Sequence, residues 1–281
     1  MVGGLVAAPW LADGYTLSTL ARMMAIGLLA ISVAVLTGTA GLPSLGQVAP
    51  YAVGAYTTGL LAKAGWGLGP VQLAAAAGAA AVFSTLVGLA VIRTRGVVFL
   101  MATLAVGVLT ATAAEQWRAV TGGSDGLYGI PPSRPWPGGP LLVDDRWLYW
   151  YTLAAAAVVV LATVVVLRSR AGMLVRGVRD NQTRMAASGH PVGGYLLAVY
   201  TATGALAGAG GGLLVTVQRF VSPAEVGFQT AALVLLAVIV GGATSIWGAL
   251  AAAAVVVSVR DWAAAGVPGH GPLLLGGLFV V

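Results

Sequence analysis

The chain has 281 residues, of which 59% are hydrophobic and only 8% are charged, whereas typical soluble domains have roughly 45–50% and 25%. This composition excludes an ordinary soluble globule. The net charge of +6 does not indicate nucleic-acid binding, because basic residues grouped at the ends of membrane spans set orientation instead. The chain has no cysteine, so disulfides and thiolate metal sites are excluded, and we expect no metal site.

The charged residues divide the chain into long uncharged intervals. A helix needs about 20 apolar residues to cross a bilayer core, so the intervals of 34 to 40 residues can each hold two spans. The sequence predicts an all-α, polytopic transmembrane helical bundle with about eight or nine spans. Helices are predicted near 20–38, 44–62, 70–92, 97–118, 147–168, 194–217, 228–241 and 246–261, with another from 271.

Arginine distribution predicts how the bundle is oriented. Arg93 and Arg95 lie in one short connection, and Arg-rich residues 168–194 form another. Lys and Arg concentrate in cytoplasmic loops, so both connections are predicted to be cytoplasmic. The Gly- and Pro-rich segment from Glu115 to Arg146 carries four acidic residues and is predicted to lie outside, which the parity of the intervening helices also requires.

The longest uncharged interval is interrupted at Gly41-Leu-Pro-Ser-Leu-Gly-Gln47. Ser44 and Gln47 have the spacing of a capping box, which predicts a helix beginning at Ser44. Broken helices at membrane depth lie against protein or a water-filled path, and the positive end of such a helix could face a substrate carboxylate. Ser44 and Gln47 are therefore candidate substrate-path residues. The alternative is a plain cytoplasmic turn between two spans.

Residues 171–189 are the longest polar stretch predicted on the inner side. Arg176, Arg179 and Asp180 recur at helical spacing, while apolar residues such as Val178 share the opposite side. This amphipathic pattern predicts a surface helix beneath the membrane. Periodicity alone leaves open whether the helix rests on lipid headgroups or on a protein partner.

Gly204, Gly208 and Gly212 recur at four-residue spacing on one predicted helix. Small residues at this spacing let two membrane helices approach closely. These glycines predict a packing face, which could lie within the chain or between subunits.

Ser222-Pro-Ala-Glu225 combines an N-cap serine, a proline at the first helical position and an acid at the third. This combination predicts a helix start outside the membrane.

The sequence disfavours two other mechanisms. Gly122, Ser124 and Gly126 match a hydrolase pattern, but that chemistry needs a strand-to-helix turn and a nearby histidine, and His190 is predicted on the opposite membrane face. An ion-coupled secondary transporter of small polar solutes would bury ionisable residues in mid-span, where the sequence offers only Arg22 near one end. The sequence also lacks a phosphate-binding loop, so ATP binding by that device is not expected.

Taken together, these motifs resemble those of permease subunits from branched-chain amino-acid ABC importers, of the LivM type. The resemblance covers most of the chain and rests on Gly41–Gly46, Gly54-Ala-Tyr56, Arg95-Gly96, Thr121–Gly126, Gly129-Ile-Pro131, Gly172, Arg179-Asp-Asn181, Ala187, Gly189, Phe220–Pro223 and Gly241–Gly248.

The resemblance implies that residues 1–281 form one permease domain in the cell inner membrane, without enzymatic activity of its own. Its substrates would be branched-chain amino acids or a related amino acid, urea or amide, moved by alternating access. The implied partners are a second homologous permease subunit, two cytoplasmic ATP-binding subunits and an extracytoplasmic substrate-binding protein, beside membrane lipid. ATP would be bound by the partner subunits, so no cofactor is expected here.

The resemblance also implies roles for individual residues. Residues 171–189 would form the coupling-helix loop that seats on an ATPase subunit, and Ser44, Gln47 and Tyr56 would line the substrate path. Family members commonly have a further span before the one near Leu20 and a complete last helix, so both ends are expected to be incomplete relative to them. The implied coupling residues are Arg176, Arg179, Asp180, Asn181, Ala187 and Gly189.

Overall fold

The computed structural model describes Pro9 and residues 13–266, with side chains described up to residue 258. The regular secondary structure of this part of the chain is helical, and its only β-structure is two isolated bridges. The helices are α1 (Gly14–Ala34, continued by a π-helical segment, Val35–Thr39), α2 (Val48–Lys63), α3 (Gly69–Val91), α4 (Gly96–Gln116), α5 (Arg118–Thr121), α6 (Asp145–Arg168), α7 (Arg170–Asp180), α8 (Gln182–Ala187), α9 (Val192–Gln218), α10 (Phe228–Gly241) and α11 (Ile246–Gly266), with 3₁₀ turns at Gly123–Asp125 and Pro223–Val226.

Six helices of the described part are long and apolar enough to cross a membrane, so the predicted eight or nine spans are not confirmed. Helix α2 has 16 residues, about 24 Å at 1.5 Å per residue, because it begins at Val48 and not at Ser44. The apolar part of α11, Ile246–Ser258, is also shorter than a full span. The helix predicted from residue 271 lies outside the described residues.

Helix α9 lies at the centre of the bundle and packs against α1, α2 and α3. Its glycines allow this close approach: a methyl group added to Gly204 would overlap Ser84, and one added to Gly208 would overlap Ala80. Gly212 faces the side chains of α2 and α3 in the same way. The glycine face that the sequence left unassigned therefore packs within this chain.

The bundle has two distinguishable ends. At the arginine-rich end, the last residues of α1 and α6 meet α7 and the turn between α10 and α11 around Ala243. At the opposite end, Leu127 pairs with Val221 in an antiparallel bridge, and Gly59 near the end of α2 lies against Leu127 and Ile130. Successive long helices of the chain therefore run alternately toward the arginine-rich end and toward the opposite end.

The surface helix predicted within residues 171–189 is divided into two, so the prediction of one continuous helix is wrong. Asn181 has extended backbone angles (φ −159°, ψ 96°), and its side chain accepts a hydrogen bond from the Arg184 N–H at 2.8 Å. An asparagine in this conformation caps a new helix. Gly189 then ends α8 with φ 81°, a left-handed conformation that favours glycine.

Gln72 of α3 holds the segment between α4 and α6 against the bundle through hydrogen bonds. Its side chain is 1% exposed, donates to the Trp66 carbonyl at 2.6 Å and accepts from the Ser133 hydroxyl at 2.6 Å. Beside it, the Gly69 N–H donates to the Arg134 carbonyl at 2.8 Å. These bonds hold an otherwise irregular segment at the end opposite the arginines.

We expect Gln72→Ala to release this segment. Each lost buried hydrogen bond contributes about 0.5–1.5 kcal/mol, so opening of the segment, and with it cleavage inside the segment by chymotrypsin, for example after Tyr128, should become about tenfold faster. Limited proteolysis of the purified protein measures this rate, and Gln116→Ala, at an exposed position at the end of α4, is the control. Equal cleavage rates in the two variants would contradict the assignment.

Candidate functional site

Residues 40–47 form an irregular connection between α1 and α2, and its polar side chains are buried. Ser44 and Gln47 are each 1% exposed. The Ser44 hydroxyl accepts a hydrogen bond from the Gly46 N–H at 3.1 Å, and the Gln47 side chain makes no return bond to Ser44. The predicted capping box is therefore wrong, and the helix begins at Val48, four residues after the predicted start.

Gln47 instead joins this connection to the central helix α9 by a hydrogen bond. Its side-chain amide donates to the Thr203 hydroxyl of α9 at 3.3 Å, and the backbone of Gly46 lies directly against Thr103 of α4. The structure thus brings Ser44 and Gln47 together between α4 and α9. It places Tyr56 nine residues beyond Gln47, about 13 Å along the helix axis, so the three predicted path residues do not form one site.

A second group of buried polar atoms surrounds α2 further along. The hydroxyls of Tyr51 and Tyr56, one carboxylate oxygen of Glu225 and Nε of Arg22 are all shielded from solvent. The turn that carries Glu225 packs against α2, the helix that carries both tyrosines. We call these four residues the polar cluster.

The sequence analysis did not identify Glu225 as a candidate site residue. It assigned this acid only to a helix start, whereas the structure shows a 3₁₀ turn, Pro223–Val226, packed against α2 and α4. A usable signal was present, because Glu225 is the only acidic residue between Asp180 and Asp261. An acid isolated in a long apolar region of a membrane protein favours a functional role.

Two of the predicted coupling residues contact the membrane helices. Arg179 donates through Nη1 to the Gly38 carbonyl at the end of α1, and Arg176 donates to the Leu167 carbonyl at the end of α6, at 2.9 Å. The last carbonyls of a helix lack partners within it and carry partial negative charge, which attracts a cation. Both arginines therefore attach α7 to the bundle.

The other predicted coupling residues differ in where they lie. Asp180 and Ala187 are exposed, Asn181 caps α8 and Gly189 ends it. Helix α8 has no buried residue in this chain. The short helices α7 and α8 thus have one side that contacts the bundle and another, open side that is exposed.

The end of α1 lies at a crowded junction. A methyl group on Gly38 would overlap the carbonyl of Ala243 in the turn between α10 and α11. A cavity of about 160 Å³ lies beside it, lined by Gly38, Leu167, Arg176, Arg179 and Ala243 among others. Movement of α7 would therefore reach α1, α6 and this turn at once.

Hydrolase chemistry finds no support in the geometry. Ser124 lies in an exposed 3₁₀ turn after α5, at the end of the bundle opposite the arginines. His190, by contrast, lies just after α8 at the arginine-rich end, where its Nδ1 is 3.2 Å from the Tyr195 hydroxyl. Among the residues that the structure describes, no group of three or more His, Asp or Glu side chains could hold a metal ion.

Residues 15–281 match the family described as "Branched-chain amino acid transport system / permease component". The high-affinity branched-chain amino acid transport system permease proteins LivM of Salmonella typhimurium and Escherichia coli are each 30% identical to the chain over 300 aligned residues, covering 98% of it and 70% of each relative. No solved structure matches the chain. With its apolar helices, this chain is a multi-pass membrane protein that belongs to the branched-chain amino acid transport permease family.

Proposed function

We propose that the chain is the membrane permease subunit of an ABC importer for branched-chain amino acids in the cell inner membrane. The family match over residues 15–281 carries this proposal, and the names of the two relatives support the substrate class. The sequence has no phosphate-binding loop, which agrees with ATP binding by separate subunits. The substrate then crosses by alternating access that those ATPase subunits drive.

In this proposal α7 and α8 form the cytoplasmic coupling segment. Their open side, which includes the exposed Met173 and Ala187, seats on an ATPase subunit. Arg176 and Arg179 reach from α7 to the ends of α6 and α1 and transmit its displacement to them. The role of the two arginines thus shifts from docking, as the sequence suggested, to attachment.

The remaining partners complete the transport path. A second homologous permease subunit packs beside this one in the membrane, and an extracytoplasmic binding protein delivers substrate to the end opposite the arginines. Gln47 lies on the α1–α2 connection, directly after the helix end that Arg179 holds. Movement of α7 is therefore passed to the predicted substrate path through α1.

An ion-coupled secondary transporter of small polar solutes is the second candidate. The observation that favours it is the polar cluster, because buried ionisable residues in membrane helices often serve as ion or proton relays. The two candidates differ in their energy source. An uncoupler that collapses the proton gradient while ATP remains would stop uptake by a secondary transporter and leave uptake by an ABC importer running.

The proposal is tested with the whole transporter, made by co-expressing this chain with its ATPase, second permease and binding-protein subunits and reconstituting the complex in proteoliposomes. We expect leucine uptake that requires ATP and persists with the uncoupler. Met173→Glu, at a side chain that is 64% exposed on α7, should reduce co-purification of the ATPase subunits. Tyr15→Glu, exposed at the other end of the bundle, should not. ATP-independent uptake would contradict the proposal.

A further inference from the structure

An apolar groove adjoins the polar cavity at the arginine-rich end of the bundle. The groove has a volume of about 360 Å³, the cavity has about 160 Å³, and Val35 and Leu167 line both of them. Leu167 is the last apolar residue of α6 before Arg168, and charged residues mark where a membrane span ends. The groove therefore enters the hydrocarbon region from a cavity that lies at its boundary.

Apolar side chains of α6 and α9 form most of the groove. The described residues that line it include two with polar side chains, Thr163 and Thr203, and each donates its hydroxyl hydrogen to a carbonyl one turn earlier in its own helix. The groove thus offers an occupant mainly apolar contacts. Val158 and Val166 of its wall are 67% and 52% exposed, so the described part of the chain leaves the groove open.

The dimensions of the groove fit one hydrocarbon chain. It follows α9 from Val199 to Ala209, about 15 Å at 1.5 Å per residue, which is half of a hydrocarbon core about 30 Å thick. Its volume divided by this length gives a mean cross-section of about 24 Å². An α-helix with its side chains is about 10–12 Å in diameter, so a helix could cover the groove but not enter it. An acyl chain of one leaflet fits both the length and the width.

The cavity at the end of the groove fits an anionic headgroup. Arg176 and Arg179 line it, and none of the described lining residues is acidic. Each arginine donates one hydrogen bond to a helix-end carbonyl, which uses one of the five N–H groups of a guanidinium and does not neutralise its charge. Two positive charges therefore remain at this cavity, and arginine forms strong charge-assisted hydrogen bonds with phosphate.

We propose that the groove and the cavity together bind one anionic phospholipid of the leaflet at the arginine-rich end. One acyl chain lies in the groove between α6 and α9, and the headgroup phosphate accepts hydrogen bonds from Arg176 and Arg179. Charge complementarity favours this occupant over a helix of another subunit, because the groove continues into a site for an anion at the membrane boundary. Basic pockets between membrane helices bind anionic headgroups in the same way.

The bound lipid has a structural consequence. Arg176 and Arg179 also hold the ends of α6 and α1, so a phosphate that binds both arginines stabilises the junction of these helices with α7. The inference goes beyond the proposed function, because it requires only that the chain spans a membrane and does not depend on the substrate.

Lipid retention by the purified chain tests the inference. The chain in detergent is titrated with phosphatidylglycerol or with phosphatidylcholine of the same acyl chains, and native mass spectrometry measures the fraction that retains one lipid. Two arginines beside the headgroup should strengthen retention of phosphatidylglycerol about tenfold to thirtyfold. Glycerol 3-phosphate, which has the phosphate but no acyl chain, should not displace it at equal concentration.

Filling the groove tests the position of the acyl chain. Ala162→Phe and Ala202→Phe place larger side chains at two exposed positions of the groove. Displacing two methylene groups from apolar contact weakens binding about tenfold, so retention of phosphatidylglycerol should fall at least that much. The matched control is Ala105→Phe, at an exposed alanine of α4 outside the groove, which should retain the lipid as the unmodified chain does.

Charge variants test the position of the headgroup. Arg176→Gln should reduce the preference for phosphatidylglycerol over phosphatidylcholine about fivefold. Arg176→Lys keeps the positive charge and should restore most of the preference. Arg184→Gln, at an exposed arginine of α8 that does not line the cavity, should leave the preference unchanged.

The inference is overturned if phosphatidylcholine is retained as strongly as phosphatidylglycerol, if glycerol 3-phosphate displaces the lipid, or if the two groove variants retain it unchanged. It is also overturned if the groove variants release the second permease subunit from the assembled transporter while lipid retention persists, because that subunit would then cover the groove. None of these measurements uses transport, so the permease function is judged separately by ATP-driven uptake.

Discussion

Gly208→Ala will lower the thermal unfolding midpoint of the protein strongly, because α9 has no room for a methyl group at this position. The added Cβ would overlap the Cβ of Ala80 and lie 2.8 Å from the Ala76 carbonyl oxygen and 3.4 Å from that of Pro50. None of these atoms is the flexible end of a long side chain, so α9 would have to separate from α2 and α3. Such overpacking costs about 3 kcal/mol.

The matched control is Gly78→Ala on α3, where an added Cβ has no neighbour within 4 Å. Alanine favours a helix over glycine by about 1 kcal/mol, so this variant should be as stable as the parent or more so. Thermal scans of the detergent-purified proteins, with size-exclusion profiles before heating, measure both effects. Equal midpoints for the two variants would show that the α9 contacts are looser than described.

Arg179→Gln will separate ATP hydrolysis from transport in the reconstituted complex. The arginine joins α7 to the end of α1 through the Gly38 carbonyl, and a hydrogen bond to a charged group contributes about 1.5–3 kcal/mol. Without it, movement of α7 no longer reaches α1. We expect ATP-driven uptake to fall about tenfold or more, while ATP hydrolysis and co-purification of the ATPase subunits stay near their original levels.

The control for this experiment is Arg184→Gln on α8. Arg184 is exposed, and its hydrogen bonds within the described residues are made by its backbone atoms. Uptake should remain near that of the unmodified complex. If Arg179→Gln instead loses the ATPase subunits together with uptake, Arg179 is a docking residue as the sequence suggested, and if it changes nothing, the bond to Gly38 has no part in coupling.

The uncharged intervals predicted much of the helical arrangement. Helix α10 was predicted at 228–241 and is found at Phe228–Gly241, and α9 was predicted at 194–217 and is found at Val192–Gln218. Charged residues cannot lie within the lipid at low cost, so they mark where spans end. The same rule predicted eight or nine spans, which are not confirmed: six helices of the described residues are long enough to span, because an uncharged interval does not require two full-length helices.

The local motifs predicted the structure less reliably, because contacts between residues far apart in sequence determined where their side chains bind. Ser44 and Gln47 have capping-box spacing, yet the Gln47 amide finds Thr203, which is 156 residues away in sequence. Periodicity placed Arg179 on a polar face but could not show that this face meets the end of α1. The polar cluster was missed for a similar reason, since Glu225 meets α2 only when the turn Pro223–Val226 packs against that helix.

The π-helical residues Val35–Thr39 give α1 a second available length. A π turn accommodates one residue more than the α-helical turn that could replace it, and one residue corresponds to about 100° of rotation and 1.5 Å of rise. Winding this bulge into regular α-helix would therefore rotate the Gly38 carbonyl and draw residues 40–47 along the axis. In the proposed coupling, a small displacement of α7 would therefore be enough to turn and shift the end of α1.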